Sequence, residues 1–128
     1  MSIDLKLLVW SVALTVVQAV VAVIGAQMQV GLPMLVGNRE KMPEMLGWAG
    51  RAQRAHRNML ENLVLFGVLV LVANATGKAN ATTALGAELY FWARIAYAAI
   101  YLAGIPRART AAWGVSIVGL LLIFVQLI

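Results

Sequence analysis

The chain has 128 residues, of which 62% are hydrophobic, with a mean hydropathy of +0.87 and a net charge of +5. Soluble domains are about half apolar, and a chain this short has no core large enough to hide the surplus, so the composition describes a single-domain integral membrane protein (residues 1–128). Cysteine is absent, and one histidine with five carboxylates excludes a thiolate nucleophile, a disulfide frame and, in practice, a catalytic metal site.

The first span is expected over residues 5–36, with no charge between Lys6 and Arg39. It exceeds the ~20 residues a bilayer crossing needs, and it is too long and too weakly basic at its start for a signal peptide. Gln18, Gln27 and Gln29 are spaced to look across a helix interface rather than into lipid. Trp10 is a candidate interfacial anchor, and Pro33 and Gly37 loosen the helix end. A polar connection follows over residues 37–50, broken by Pro43 and several glycines.

The second helix is expected over residues 49–75, and its first half carries the charge of the chain. At roughly 100° per residue, Arg51, Arg54, Arg57, Asn58 and Glu61 fall within an arc of about 120°, with His56 near the opposite side. Charged groups at membrane depth face a bundle interior or a polar cavity and mark functional sites by default. His56, on the wrong face, reads as interfacial or structural rather than as a base. The bland alternative for Arg57, Glu61 and Arg94 is an ion network that only holds helices together.

Residues 74–80 form a turn in which Asn80, Thr82 or Thr83 can cap the next helix. Asn80-Ala81-Thr82 is also a glycosylation sequon, of little weight so near the bilayer. The third helix, residues 83–103, places Tyr90, Arg94, Tyr97 and Tyr101 within about 60° of one another, with Glu88 elsewhere. The tyrosines span too much depth for one aromatic belt and read as an inward polar stripe. A turn over residues 104–110 leads to the last span, residues 110–128, which is uncharged beyond Thr110.

The loops at 37–57 and 104–110 hold seven cations and the opposite side holds Lys6 and Lys78. The positive-inside rule then puts loops one and three in the cytoplasm and both termini outside. The expected architecture is all-α: four transmembrane helices in an up-down bundle. Cations, an amide, a carboxylate and phenols converge on its cytoplasmic half, a set suited to a small polyanionic, zwitterionic ligand. The cations lie between apolar spans rather than on a soluble face, so nucleic acid is not an expected partner.

Three segments resemble a known family. Arg54-Ala55-His56-Arg57-Asn58-x-x-Glu61 followed by Phe66, Arg94-x-x-Tyr97-x-x-x-Tyr101, and Arg109-Thr110-x-x-Trp113 are similar to segments of the MAPEG family (membrane-associated proteins in eicosanoid and glutathione metabolism), in its bacterial-type form. The resemblance implies a homotrimer in a bacterial inner membrane, with glutathione as cosubstrate between neighbouring subunits near the cytoplasmic face. It assigns glutathione binding to Arg51, Arg54, Arg57, Asn58, Glu61, Arg94, Tyr97 and Tyr101, and places Arg109 and Thr110 beside the sulfur as the catalytic pair.

The departures are specific. The arginine that eicosanoid-metabolising members carry near the end of helix one is replaced by Gly31-Leu32-Pro33-Met34-Leu35, so either Arg39 substitutes from the loop or one ligand carboxylate goes unclamped. Asn62-Leu63-Val64-Leu65 stands where a proline is usual shortly after the motif glutamate, which leaves the helix-two kink without its cause. Thr110 keeps a hydroxyl in place of serine, and Trp113 loses one in place of tyrosine. The implied activity is a glutathione transferase or peroxidase acting on lipophilic electrophiles or hydroperoxides. The alternatives are a non-catalytic lipid-binding member and a small multidrug transporter, which would need a carboxylate in helix one beyond Asp4.

Overall fold

The first residues start a helix by local chemistry. Ser2 adopts an extended backbone and its side chain accepts from the Leu5 amide at 3.4 Å, with Asp4 in the first turn, where a negative charge suits the helix dipole. In the computed structural model, which describes residues 1–128, this helix is α1, Ile3–Val30. The expected continuous span over 5–36 is therefore corrected. Gly31 takes φ +80°, a backbone conformation that L side chains resist, and breaks the run. A short α2, Leu32–Val36, follows with Pro33 in its first turn.

The connection after α2 is tied down rather than loose. Leu35 packs with Ala26, Met45 and Ala49. The Gln29 side chain brackets Leu46, donating to its carbonyl at 2.7 Å and accepting from its amide at 3.0 Å. That contact, within one chain, is the use the structure gives to one of the three glutamines expected at a helix interface. Gln18 is buried and Gln27 is exposed.

Helix α3, Gly47–Ala75, runs unbroken through the charged stretch and the apolar one. Asn80 caps α4, Ala81–Ala103, through a reciprocal pair of bonds with Thr83. Helix α5, Pro106–Leu127, begins four residues earlier than expected because proline fits the first helical position. Arg107, Arg109 and Thr110 thus sit on the opening turns of a helix, not in a loop.

Long-range hydrogen bonds give the helix directions. Asp4 at the start of α1 accepts from Asn74 near the end of α3 and from Thr83 at the start of α4. Lys78 and Asn80 reach Leu127 and Gln126 at the end of α5, while Arg51 near the start of α3 donates to the Leu102 carbonyl at the end of α4. The long helices alternate in direction, as an up-down bundle requires. Helices α4 and α5 approach most closely at two facing glycines. A Cβ built on Gly119 would fall 2.5 Å from the Gly86 carbonyl oxygen, so neither position tolerates a side chain.

Phe66, Val70, Ala87, Tyr90, Leu120 and Ile123 form the main core. Much of the remaining large apolar surface points outward, which is the expected state of a surface whose solvent is lipid. Helices α1, α3 and α5 are each long and apolar enough to cross a bilayer, and the protein is an integral membrane protein.

Candidate functional site

The inward stripe of α4 is present. Tyr90, Arg94 and Tyr97 are 0%, 1% and 5% exposed, and Tyr101 is half-buried. Tyr90 stacks on Phe66 at 4.0 Å between ring centroids and belongs to the core. Glu88, off the stripe, accepts from the Trp92 indole at 2.7 Å.

Arg94 is the centre of the site. One nitrogen donates to Asn58 Oδ1 at 2.8 Å, and the guanidinium lies 4.2 Å from the centroid of the Tyr97 ring. Its Nε and Nη1 are buried without partners. Arg94 spends its bond on the amide of Asn58 rather than on Glu61, so the expected ion network does not absorb this cation. Asn62 donates to both the Asn58 carbonyl, at 2.9 Å, and Asn58 Oδ1, at 3.3 Å. With its oxygen doubly engaged, Asn58 keeps its NH₂ group for a ligand. In the sequence Asn62 stands out only as the first residue of the stretch Asn62-Leu63-Val64-Leu65, where a proline is usual. Its spacing of four from Asn58 on one helix face was the signal that it touches the site.

Tyr101 gathers two further arginines. Arg54 Nε donates to its hydroxyl at 3.1 Å, and Arg109 lies 4.5 Å from its ring centroid. Tyr97 and Tyr101 meet edge to face at 5.5 Å. Three helices thus present three guanidiniums around two phenols. Beside them a cavity of about 170 Å³ is lined by Asn58, Tyr97, Arg109, Thr110 and Trp113.

The other expected residues stand apart within one chain. Arg57 and Glu61 are exposed on α3. Arg51 holds the end of α4 through Leu102, at 3.0 Å. The Thr110 hydroxyl donates back to the Pro106 carbonyl at 3.2 Å, so it lines the cavity with an acceptor oxygen. Arg39, at a left-handed φ of 61°, lines a separate cavity with Gln53 and His56, between α1 and α3. In one chain, therefore, Arg39 does not replace the arginine missing from helix one.

Chemically the cluster has the donors to hold an anion. Guanidinium forks hold carboxylates in two-pronged fashion, and cations close to a thiol favour its thiolate. A helical membrane bundle with a cation-lined cleft at one end defines the class. Within that class the family model described as MAPEG family matches residues 6–128, and the chain belongs to the MAPEG family. No curated protein and no solved structure matches the chain.

Proposed function

We propose that the protein is a glutathione transferase or glutathione peroxidase acting on lipophilic electrophiles or hydroperoxides in a bacterial inner membrane. In this reading α4 completes a four-span bundle, both termini are extracytoplasmic, and three copies assemble with the ligand between neighbours near the cytoplasmic face. The observation that carries it is the convergence of Arg54, Arg94 and Arg109 on Asn58, Tyr97 and Tyr101, with two nitrogens of Arg94 left without partners.

The donor set fits glutathione. Arg54 and Arg57 would clamp its carboxylates, Glu61 its ammonium, and the free NH₂ of Asn58 a peptide carbonyl. Glutathione supplies the thiol that this cysteine-free chain lacks. Arg109, beside the cavity with Thr110, would favour the ionised sulfur by charge. Exposure of Arg54, Arg57 and Glu61 in one chain supports a ligand shared with a second copy.

A separate apolar groove of about 380 Å³ lies between α3 and α5, lined by Val64, Leu65, Ile117 and Phe124 among others. In this reading it would hold a lipophilic substrate drawn from the bilayer. The same groove is what would favour the second reading, a non-catalytic lipid-binding member.

Isothermal calorimetry with glutathione on detergent-purified protein tests the proposal. Saturable binding that Arg54→Ala abolishes is expected, together with Arg109→Ala protein that still binds but no longer shows the ultraviolet absorbance of a thiolate. A wild type that does not bind glutathione would overturn the reading.

A further inference from the structure

The cleft between α1 and α3 that Arg39 lines is used by nothing in the proposed chemistry. It has a volume of about 200 Å³. Ala19, Ala22 and Val23 of α1 form one wall, Gln53 and His56 of α3 the other, and Arg39 joins them from the loop after α2. Ala49, at the start of α3, packs with Ala26 near the end of α1. The two helices are antiparallel, so His56 and Ala19, each seven residues further into the bundle, lie level with each other about 10 Å beyond that contact. The cleft is therefore long, apolar on one side and polar on the other. Its polar groups are open to an occupant: Arg39 and Gln53 are exposed and His56 is half-buried.

Arg39 gives the cleft its sign. The loop carries four charged side chains, Arg39, Glu40, Lys41 and Glu44, and only Arg39 lines the cavity. It is also the one non-glycine residue with a positive φ, 61°, a conformation that side chains resist and that folded chains retain at turns and ligand clamps. Its Nε donates to the Leu35 carbonyl at 2.7 Å. That bond fixes the stem and leaves the two terminal NH₂ groups for a two-pronged contact with an anion.

Simple occupants match only part of this cleft. A free anion would meet Arg39 and leave the alanine wall uncovered. An alkane would cover that wall and strip water from Gln53 and His56 without replacing its hydrogen bonds. A fatty acid would place methylene groups beside those two side chains, directly below its carboxylate. An anionic headgroup joined to its chain through a polar linkage matches all three parts, and basic pockets between membrane helices hold such headgroups.

We infer that this cleft binds an anionic phospholipid taken from the bilayer. Its phosphate sits on Arg39, its acyl linkage lies along Gln53 and His56, and a chain covers Ala22 and Ala19 opposite. The site shares no residue with the cluster around Arg94, so it stands or falls separately from the proposed activity.

Native mass spectrometry of the detergent-solubilised protein tests this with dioleoyl phosphatidylglycerol, dioleoyl phosphatidylcholine and glycerol phosphate. Phosphatidylglycerol is expected to bind at a concentration at least about tenfold lower than phosphatidylcholine, whose ammonium would meet Arg39, the size of effect a charge-assisted contact gives. Arg39→Gly suits the positive φ and so keeps the loop, and it should bring the two lipids to the same affinity. Ala22→Leu keeps Arg39, narrows the cleft and should weaken phosphatidylglycerol by a similar factor. Arg107→Ala removes an exposed cation outside the cleft and should leave the preference intact. Equal binding of the two lipids by the wild type, a preference that survives Arg39→Gly, or one that Arg107→Ala abolishes overturns the proposal. Glycerol phosphate binding as tightly as phosphatidylglycerol would also overturn it, by making the cleft a site for free anions. So would a loss of glutathione binding in Arg39→Gly, which would assign the arginine to the ligand of a neighbouring copy.

Discussion

Arg94 donates to Asn58 Oδ1 at 2.8 Å from a position only 1% exposed, and no carboxylate shares its charge in that contact. A buried cation joined to a neutral amide is costly on its own, and it becomes favourable when an anion arrives. The relationship couples α3 to α4 at the level of the cavity, and it sets the orientation of the amide that a ligand would meet.

Arg94→Met tests what this cation is for. Methionine keeps the length of the side chain and removes a charge with two unpartnered nitrogens. The melting temperature in detergent should hold or rise, because an unpaired buried charge is lost. Glutathione affinity should fall by at least about tenfold, the cost of a charge-assisted hydrogen bond. A fall in melting temperature with unchanged affinity would make Arg94 purely structural.

Asn62→Leu removes the second donor to Asn58 and preserves packing at a position 7% exposed. Asn58 then turns more freely, and calorimetry should show binding weakened about three- to tenfold, the value of one neutral hydrogen bond. The variant should unfold within a few degrees of the wild type.

Tyr101 can be dissected in two steps. Tyr101→Phe removes the hydroxyl that accepts from Arg54 and keeps the ring under Arg109. Because Arg54 is exposed, the loss should be small, under about fivefold in affinity. Tyr101→Leu also removes the ring, and the thiolate signal dependent on Arg109 should then weaken as well. Ultraviolet titration of the glutathione complex separates the two effects.

Two glycines of α5 should respond in opposite directions to alanine. Gly119→Ala places a methyl group 2.5 Å from the Gly86 carbonyl, and overpacking of this kind costs about 1–3 kcal/mol. Gly114 has no atom within 4 Å of a built Cβ, so Gly114→Ala should stabilise through helix propensity, by up to about 1 kcal/mol. Thermal unfolding of the two variants side by side gives the comparison.

Asp4→Ala should destabilise the end of the bundle far from the cations. It removes an acceptor that Asn74 and Thr83 share at 3.3 and 3.4 Å, while each keeps a bond to a backbone carbonyl, of Val70 and Asn80 respectively, so the cost is that of a net hydrogen bond, about 0.5–1.5 kcal/mol. Glutathione affinity of the folded protein should not change, since Arg54 and Tyr101 lie at the other end of α3 and α4.

The sequence by itself determined the membrane class, the positions of the long helices and the polar stripe of α4. Those properties follow from composition and from a 3.6-residue period, which act locally and need no partner. It also held the family motifs, because they are contiguous or spaced along single helices. Tertiary structure decided the rest. The break at Gly31 depends on one backbone torsion, and the early start of α5 on how Pro106 meets the preceding turn. Helical-wheel geometry put Arg51, Arg57 and Glu61 on one face with Arg54 and Asn58. Packing alone sent Arg51 to the end of α4 and left Arg57 and Glu61 outside. A wheel gives angle about one axis, and a site between helices depends on which neighbour stands at each angle. The same reason hid Asp4, which joins three helix ends distant in sequence, and Gln18, whose unpartnered oxygen exists only once α1 lies beside α3 and α4.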